Sequence, residues 1–156
     1  MIPVWNVHGE VVLHQIRPDA PRINGQGKPV KYETPAGSRP VIDVPPSVLN
    51  ALGDVRESLI ITEGIRKADA AVSAGYCCIA LMGVWSWRGT NELGNKSALA
   101  DWDAITLTNR HIYLAFDSDS ATNPNVHQAL DALARYLTGM GARVRFCDLA
   151  REVLHA

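Results

Sequence analysis

From residue 57 onward, short apolar runs alternate with segments whose apolar positions recur at helical spacing. Ser58-Leu59-Ile60-Ile61-Thr62 is a brief β-branched run, the pattern of a strand buried on both faces. Ile65 to Ala74 follows, with Ile65, Ala68 and Ala71 or Val72 on one side and Arg66, Lys67 and Asp69 elsewhere. That spacing predicts a helix closed by Gly75. Cys77 to Leu81 predicts a second strand, ending at Gly83. A Trp-rich loop comes next, and Lys96 to Trp102 reads as helical. His111 to Phe116 predicts a third strand. Val126 to Leu137 is the clearest amphipathic helix, with Leu130, Leu133, Ala134 and Leu137 on one stripe and Gly139 and Gly141 beyond its end. Ala142 to Cys147 alternates apolar and basic residues, as a strand near an edge or a solvated face does. Strand–helix–strand units of this length predict an α/β fold with a mainly parallel sheet, right-handed crossovers and flanking helices.

Residues 1–56 differ. Arg17-Pro18-Asp19, Asn24-Gly25-Gln26-Gly27, Pro35-Ala36-Gly37 and Pro45-Pro46 are turn formers, with short extended stretches at Val11 to Ile16, Val30 to Glu33 and Val41 to Val44. Ser47 is placed to cap a short helix through Leu52, stopped by Gly53. The expected organisation is a small β-rich N-terminal lead-in over 1–56 and an α/β domain over 57–156.

Composition narrows the classes. The chain has 156 residues, 47% hydrophobic and 20% charged, which is enough apolar surface for a core and excludes global disorder. Fifteen Lys and Arg against 16 Asp and Glu exclude a strongly basic coat and an acidic tail. The start, Met1-Ile2-Pro3-Val4-Trp5-Asn6, has no basic and then apolar leader pattern, and no apolar run is long enough to span a bilayer. Cys77, Cys78 and Cys147 lack the spacing of a disulfide framework or a zinc site; the adjacent pair reads as small buried hydrophobes. A reducing cytoplasm is expected. Gly25-Gln26-Gly27-Lys28-Pro29 lacks the spacing and the Ser or Thr of a phosphate-binding P-loop.

The candidate chemistry is acidic. Glu63 follows the first predicted strand directly, and Asp117 follows the third, with Asp119 two residues on. In a parallel sheet all C-terminal strand ends share one edge, the edge where open α/β sheets bind ligands. Glu63, Asp117 and Asp119 are therefore expected to converge. Crowded carboxylates repel, and a divalent cation relieves the repulsion; hard oxygen ligands suit Mg²⁺. Arg66 and Lys67, in the first turn of the next helix, suit phosphate. The plain alternative makes these acids helix caps and turn formers. Two acidic motifs, each ending an apolar strand, favour the metal.

Ile60-Ile61-Thr62-Glu63-Gly64 before a helix, and Leu114-Ala115-Phe116-Asp117-Ser118-Asp119 later, resemble the Toprim domain of primases, topoisomerases and related nucleases. The closer resemblance is to the Toprim-like DUF3854 domain of phage, plasmid and integrative-element replication proteins. It is carried by Gln15-Ile16-Arg17-Pro18-Asp19, Lys31-Tyr32-Glu33-Thr34-Pro35, Asp43-Val44-Pro45-Pro46, Glu63-Gly64-Ile65-Arg66-Lys67-Ala68-Asp69-Ala70 and Gly83-Val84-Trp85-Ser86-Trp87-Arg88. The resemblance implies a Toprim-like, Rossmann-like sheet, with Glu63, Asp117 and Asp119 as catalytic and Mg²⁺ (or Mn²⁺) ligands. Lys67 falls where this subfamily carries a basic residue. It further implies primer synthesis on single-stranded DNA from nucleoside triphosphates, with a replicative helicase fused or in trans. A Toprim nuclease and a non-catalytic binding module with a remnant acidic site are the alternatives.

Other contacts have two readings each. Trp85 and Arg88 follow the second strand and are suited to stacking a base and holding a phosphate, or to covering the core. Arg17, Arg22, Lys28, Lys31 and Arg39 form either a ramp for a nucleic-acid backbone or a solvated surface. Assigning three acids to a cation leaves the remaining surface mildly basic.

Overall fold

The computed structural model describes residues 1–25, 27–117 and 123–147. In chain order the first strands are β1 (Ile2–Trp5), β2 (Val11–Gln15), β3 (Ile42–Asp43) and β4 (Leu59–Glu63), followed by helix α1 (Ile65–Ser73). Then come β5 (Cys78–Leu81), β6 (Arg88–Thr90), β7 (Lys96–Ala98), β8 (His111–Ala115), helix α2 (Pro124–Gly139) and β9 (Arg143–Phe146). The fold is mixed α/β around a five-stranded sheet of order β3-β5-β4-β8-β9. The last four strands of that order run parallel, and β3 is antiparallel beside β5.

The interior parallel strands β5, β4 and β8 are mostly apolar because they lie inside the sheet, whereas β9 at its edge alternates Arg143, Val144, Arg145 and Phe146 and is mostly exposed. Leu59 and Ile61 of β4, Ile79 and Leu81 of β5, and Ile112 and Leu114 of β8 join Leu130, Leu133 and Leu137 of α2 in the main core. The intervening residues Ile60, Cys78 and Ala80 pack with Ala68 of α1. Asn123 starts α2 by accepting a hydrogen bond from the Asn125 backbone N–H at 3.0 Å, and Pro124 in the first turn needs no donor of its own.

The N-terminal segment is fastened to this sheet. The Trp5 N–H donates to Asp43 Oδ1 at 2.8 Å, and the Val44 N–H donates to the Trp5 carbonyl at 2.9 Å. Val4 and Val41 bury against Ile65, with Leu13 and Met82 alongside. The β1–β2 hairpin thereby stands over the start of α1. Asp43 is buried, its second oxygen has no hydrogen-bond partner, and burial pushes its carboxyl up to about 6.

Several local expectations change. Lys96 to Trp102 is not a helix: Lys96–Ala98 pairs antiparallel with β6, and Ala100–Ala104 is a 3₁₀ turn that buries Trp102. The cause lies in the turn between the strands, where Asn91 Oδ1 accepts from the N–H groups of Leu93 and Asn95 and Gly94 adopts φ +79°. Val30 to Glu33 forms no strand. The isolated bridges Ile16–Glu33 and Ile23–Pro29 stand in its place, as flanking Pro29 and Pro35 lack N–H donors. The turn at Pro46–Ala51 is 3₁₀, and Ser47 does not cap it, because Pro45 holds the capping position. β1 forms despite Pro3, in a two-stranded ribbon where an edge tolerates it.

Among the described residues no helix is long and apolar enough to cross a membrane. Cys77 and Cys78 are buried, as expected for small hydrophobes, and burial raises both thiols, Cys78 to about 12.

Candidate functional site

β4 is central in the parallel order. The chain leaves it through α1 to β5 on one side and later returns to β8 on the other. The crevice between the C-terminal ends of β4 and β8 is thus a topological switch point, where the loops diverge and leave room for a ligand. Glu63 is the last residue of β4, and Asp117 stands just past the end of β8. A buried bond from Thr62 Oγ1 to the Ala115 carbonyl, 2.7 Å, ties the two strand ends together beneath them.

Gly64 makes the turn from Glu63 into α1 at φ +94°, with open space where a Cβ would stand. Backbone conformation, not crowding, calls for glycine there. The turn brings Lys67 back over the crevice, where its Nζ lies 2.5 Å from Asp117 Oδ1. Lys67 and Asp117 remain about half exposed, with side-chain exposures of 42% and 59%. Glu63 is half-buried. Burial raises its pKa most; Lys67 pulls it down and Asp117 pushes it up. The three groups therefore act on one another electrostatically.

They open into a cavity of about 670 Å³. Its wall includes Glu63, Arg66, Lys67 and Asp117 from the sheet edge, and Gln15, Arg17, Lys31 and Tyr32 from the N-terminal segment. Arg17 stands 5.9 Å over the ring of Tyr32. Six of the residues singled out from sequence, Glu63, Asp117, Lys67, Arg66, Arg17 and Lys31, share this one cavity.

The described donors suit a hard cation. Two carboxylates of different strands, one partly desolvated, offer oxygen ligands, and Mg²⁺ typically takes one or two protein carboxylates and keeps several waters. Among the described residues there is no cluster of three His, Cys, Asp or Glu. Asp119 lies outside the described residues.

Residues 51–154 match the family described as "Domain of unknown function (DUF3854)". The chain belongs to this family. It is also similar to an uncharacterized protein of Picosynechococcus sp., 34% identical over 95 residues, which is 55% of this chain. The matched part is 10% of the length of that relative. The DUF3854 match contains Glu63, Arg66, Lys67 and Asp117, whereas Arg17, Lys31 and Tyr32 precede it.

Trp85 and Arg88 do not line the cavity of this DUF3854 chain. The Arg88 guanidinium stacks 3.9 Å over the Trp85 ring and 5.5 Å from that of Trp87. Trp87 is buried, stacks on Tyr136 at 5.3 Å, and its carbonyl accepts from Trp102 Nε1 at 2.9 Å. Trp87 therefore packs in the core. Arg22 pairs with Glu33 at 2.7 Å on the surface.

Gln15, Tyr32 and Met82 also line the cavity; Gln15 and Tyr32 entered the sequence reading only as part of the family resemblance, and Met82 gave no signal. Residues 15–17 and 31–33 come together through the Ile16–Glu33 bridge, a long-range pairing that no local pattern announces.

Proposed function

We propose that this chain is a Toprim-type domain, Rossmann-like in its strand order, that binds Mg²⁺ or Mn²⁺ and acts on nucleic acid. Its most specific form is the nucleotidyl-transfer domain of a primase in phage or mobile-element DNA replication. The observation that carries this reading is the shared cavity, in which two strand-end carboxylates face four cations drawn from two separate parts of the chain. A purely solvated acidic turn has no reason to face Arg17 and Lys31, which arrive from a different segment.

In this reading Glu63, Asp117 and Asp119 hold the cation. Once bound, the cation supplies charge neutralisation and orientation for phosphoryl transfer. Arg66 and Lys67 hold phosphate oxygens at the start of α1, where unpaired backbone N–H groups also favour anions. Arg17 and Lys31 neutralise the backbone of a single strand, and Tyr32 offers a ring face to a base. Glu63, its pKa raised by burial, is placed to exchange a proton with a reacting hydroxyl. Trp85 and Arg88 are left out of the catalytic cavity. A replicative helicase, fused or in trans, and a cytoplasmic setting belong to the same proposal.

The test is direct. The protein is incubated with Mg²⁺ or Mn²⁺, labelled single-stranded DNA and nucleoside triphosphates. Longer products support the primase form, and shorter ones identify a Toprim nuclease. Metal-dependent binding without new products identifies a binding module. Absence of any metal effect on DNA affinity or thermal stability overturns the metal-dependent reading.

A further inference from the structure

We infer that the Lys67 ammonium is the resident counter-ion of the acidic crevice, which a divalent cation displaces and thereby hands over to the phosphate of the nucleic-acid ligand. This rests on the metal-binding reading above and adds a coupling between the two ligands of the cleft.

The geometry supplies each part. Lys67 sits in the first turn of α1, and its Nζ reaches Asp117 Oδ1 while also acting on Glu63. The positive charge between the two carboxylates therefore comes from the chain itself. An ammonium and a divalent cation cannot share that space at low cost. Even in the dielectric of water, the repulsion between an ammonium and a doubly charged ion at contact distance is enough to shift binding about tenfold. Lys67 is free to yield, because it is half exposed and its partner Asp117 is a half-exposed carboxylate. Such surface pairs hold their geometry weakly.

The destination follows from the lining of the cavity. Among its described residues, Glu63 and Asp117 are the only carboxylates, and the remaining charged groups are Arg17, Lys31 and Arg66. Among those described residues a displaced Lys67 finds no carboxylate besides Glu63 and Asp117. It joins the other cations, so the surface facing a ligand gains an unpaired ammonium in addition to the two charges of the metal. Metal binding then favours phosphate binding, and by linkage phosphate favours metal.

Opposite signs at a single residue make this testable. Mn²⁺ alone is titrated into the wild type, Lys67→Met, Lys67→Arg and Asp117→Asn, and free Mn²⁺ is followed by electron paramagnetic resonance. Thermal melts check that each variant is folded. Lys67→Met is expected to bind Mn²⁺ about tenfold more tightly than the wild type, since its competitor is gone. Lys67→Arg keeps the charge and stays close to the wild type, and Asp117→Asn loses most binding.

Anisotropy of a labelled oligothymidylate, with and without Mn²⁺, gives the second half. Mn²⁺ is expected to raise the affinity of the wild type severalfold, and Lys67→Met to lose most of that gain while binding Mn²⁺ more tightly. If Lys67→Met binds Mn²⁺ no better than the wild type while Asp117→Asn fails to bind, the exchange is overturned and the metal site stands. If no protein binds Mn²⁺, both fall. An undiminished Mn²⁺ effect on DNA in Lys67→Met overturns the hand-over to phosphate.

Discussion

At the N-terminal ends of the parallel strands, Arg110 is fully buried. Its guanidinium donates to the carbonyls of Leu52 and Ala51 at 2.7 Å and of Glu57 at 2.9 Å. At the C-terminal ends, Lys67 meets Asp117 half in water. Both are cations at strand ends, yet they act differently. The planar fork of Arg110 satisfies several carbonyls at once and binds the chain before β4 to the turn before β8. Burial disfavours its charge, but guanidinium stays ionised in proteins. Lys67 has one flexible ammonium and carboxylate neighbours that a competing ion can claim. The buried charge at one edge ties loops together, and the half-exposed one at the other edge lines an open cavity.

Breaking the edge with the buried charge gives the largest effect. Arg110→Met removes the guanidinium bonds to the Leu52, Ala51 and Glu57 carbonyls, leaving Leu52 its Thr106 N–H and Ala51 its Asp54 N–H, and is expected to cost about 3–5 kcal/mol, read by urea unfolding. An effect under about 1 kcal/mol would remove the contrast between the edges.

Next comes Asp43, which holds the N-terminal hairpin between those edges. Its carboxyl is raised from an ordinary value of 3.8 to about 6, so the folded state holds the proton more tightly than the unfolded state. Stability from this group is therefore greatest below about pH 4 and falls as pH rises to about 6, by at most about 3 kcal/mol. Asp43→Asn should abolish that slope in unfolding curves taken across this range, and an unchanged slope would assign it elsewhere.

At the half-exposed edge, Asp117→Asn is expected to weaken Mn²⁺ binding about a hundredfold while changing stability by less than about 0.5 kcal/mol. A large loss of stability would make Asp117 a structural residue like Arg110. The smallest effect is on nucleic acid: Arg17→Glu with Lys31→Glu should lower single-stranded DNA affinity about tenfold. The same double variant should flatten the salt dependence by roughly 1.4 in log–log slope, two phosphate contacts at about 0.7 each. An unchanged slope would return Arg17 and Lys31 to plain surface.

The interior parallel strands were legible because a strand inside a parallel sheet is mostly apolar, as Leu59 to Ile61 and Ile112 to Leu114 are, and β9 was legible by its alternation. The order of apolar runs and amphipathic helices also puts Glu63 and Asp117 on one edge. Family resemblance reached DUF3854 through the same residues. The hairpin of β6 and β7 was not legible, because its turn rests on side-chain bonds of Asn91 that outweigh the helical look of Lys96 to Trp102. Arg110 gave no signal, since one arginine before a strand looks the same whether buried or solvated.

The sequence by itself determined which segments are strands and helices in the sheet, and which acids end them, because those properties depend on local period and polarity. Only the tertiary structure decided that Arg17 and Lys31 face the acids while Arg88 stacks on Trp85. It alone placed Lys67 against Asp117, fifty residues away in the chain. Such pairings depend on how the hairpin docks and how strands are ordered, and many local patterns are compatible with each outcome.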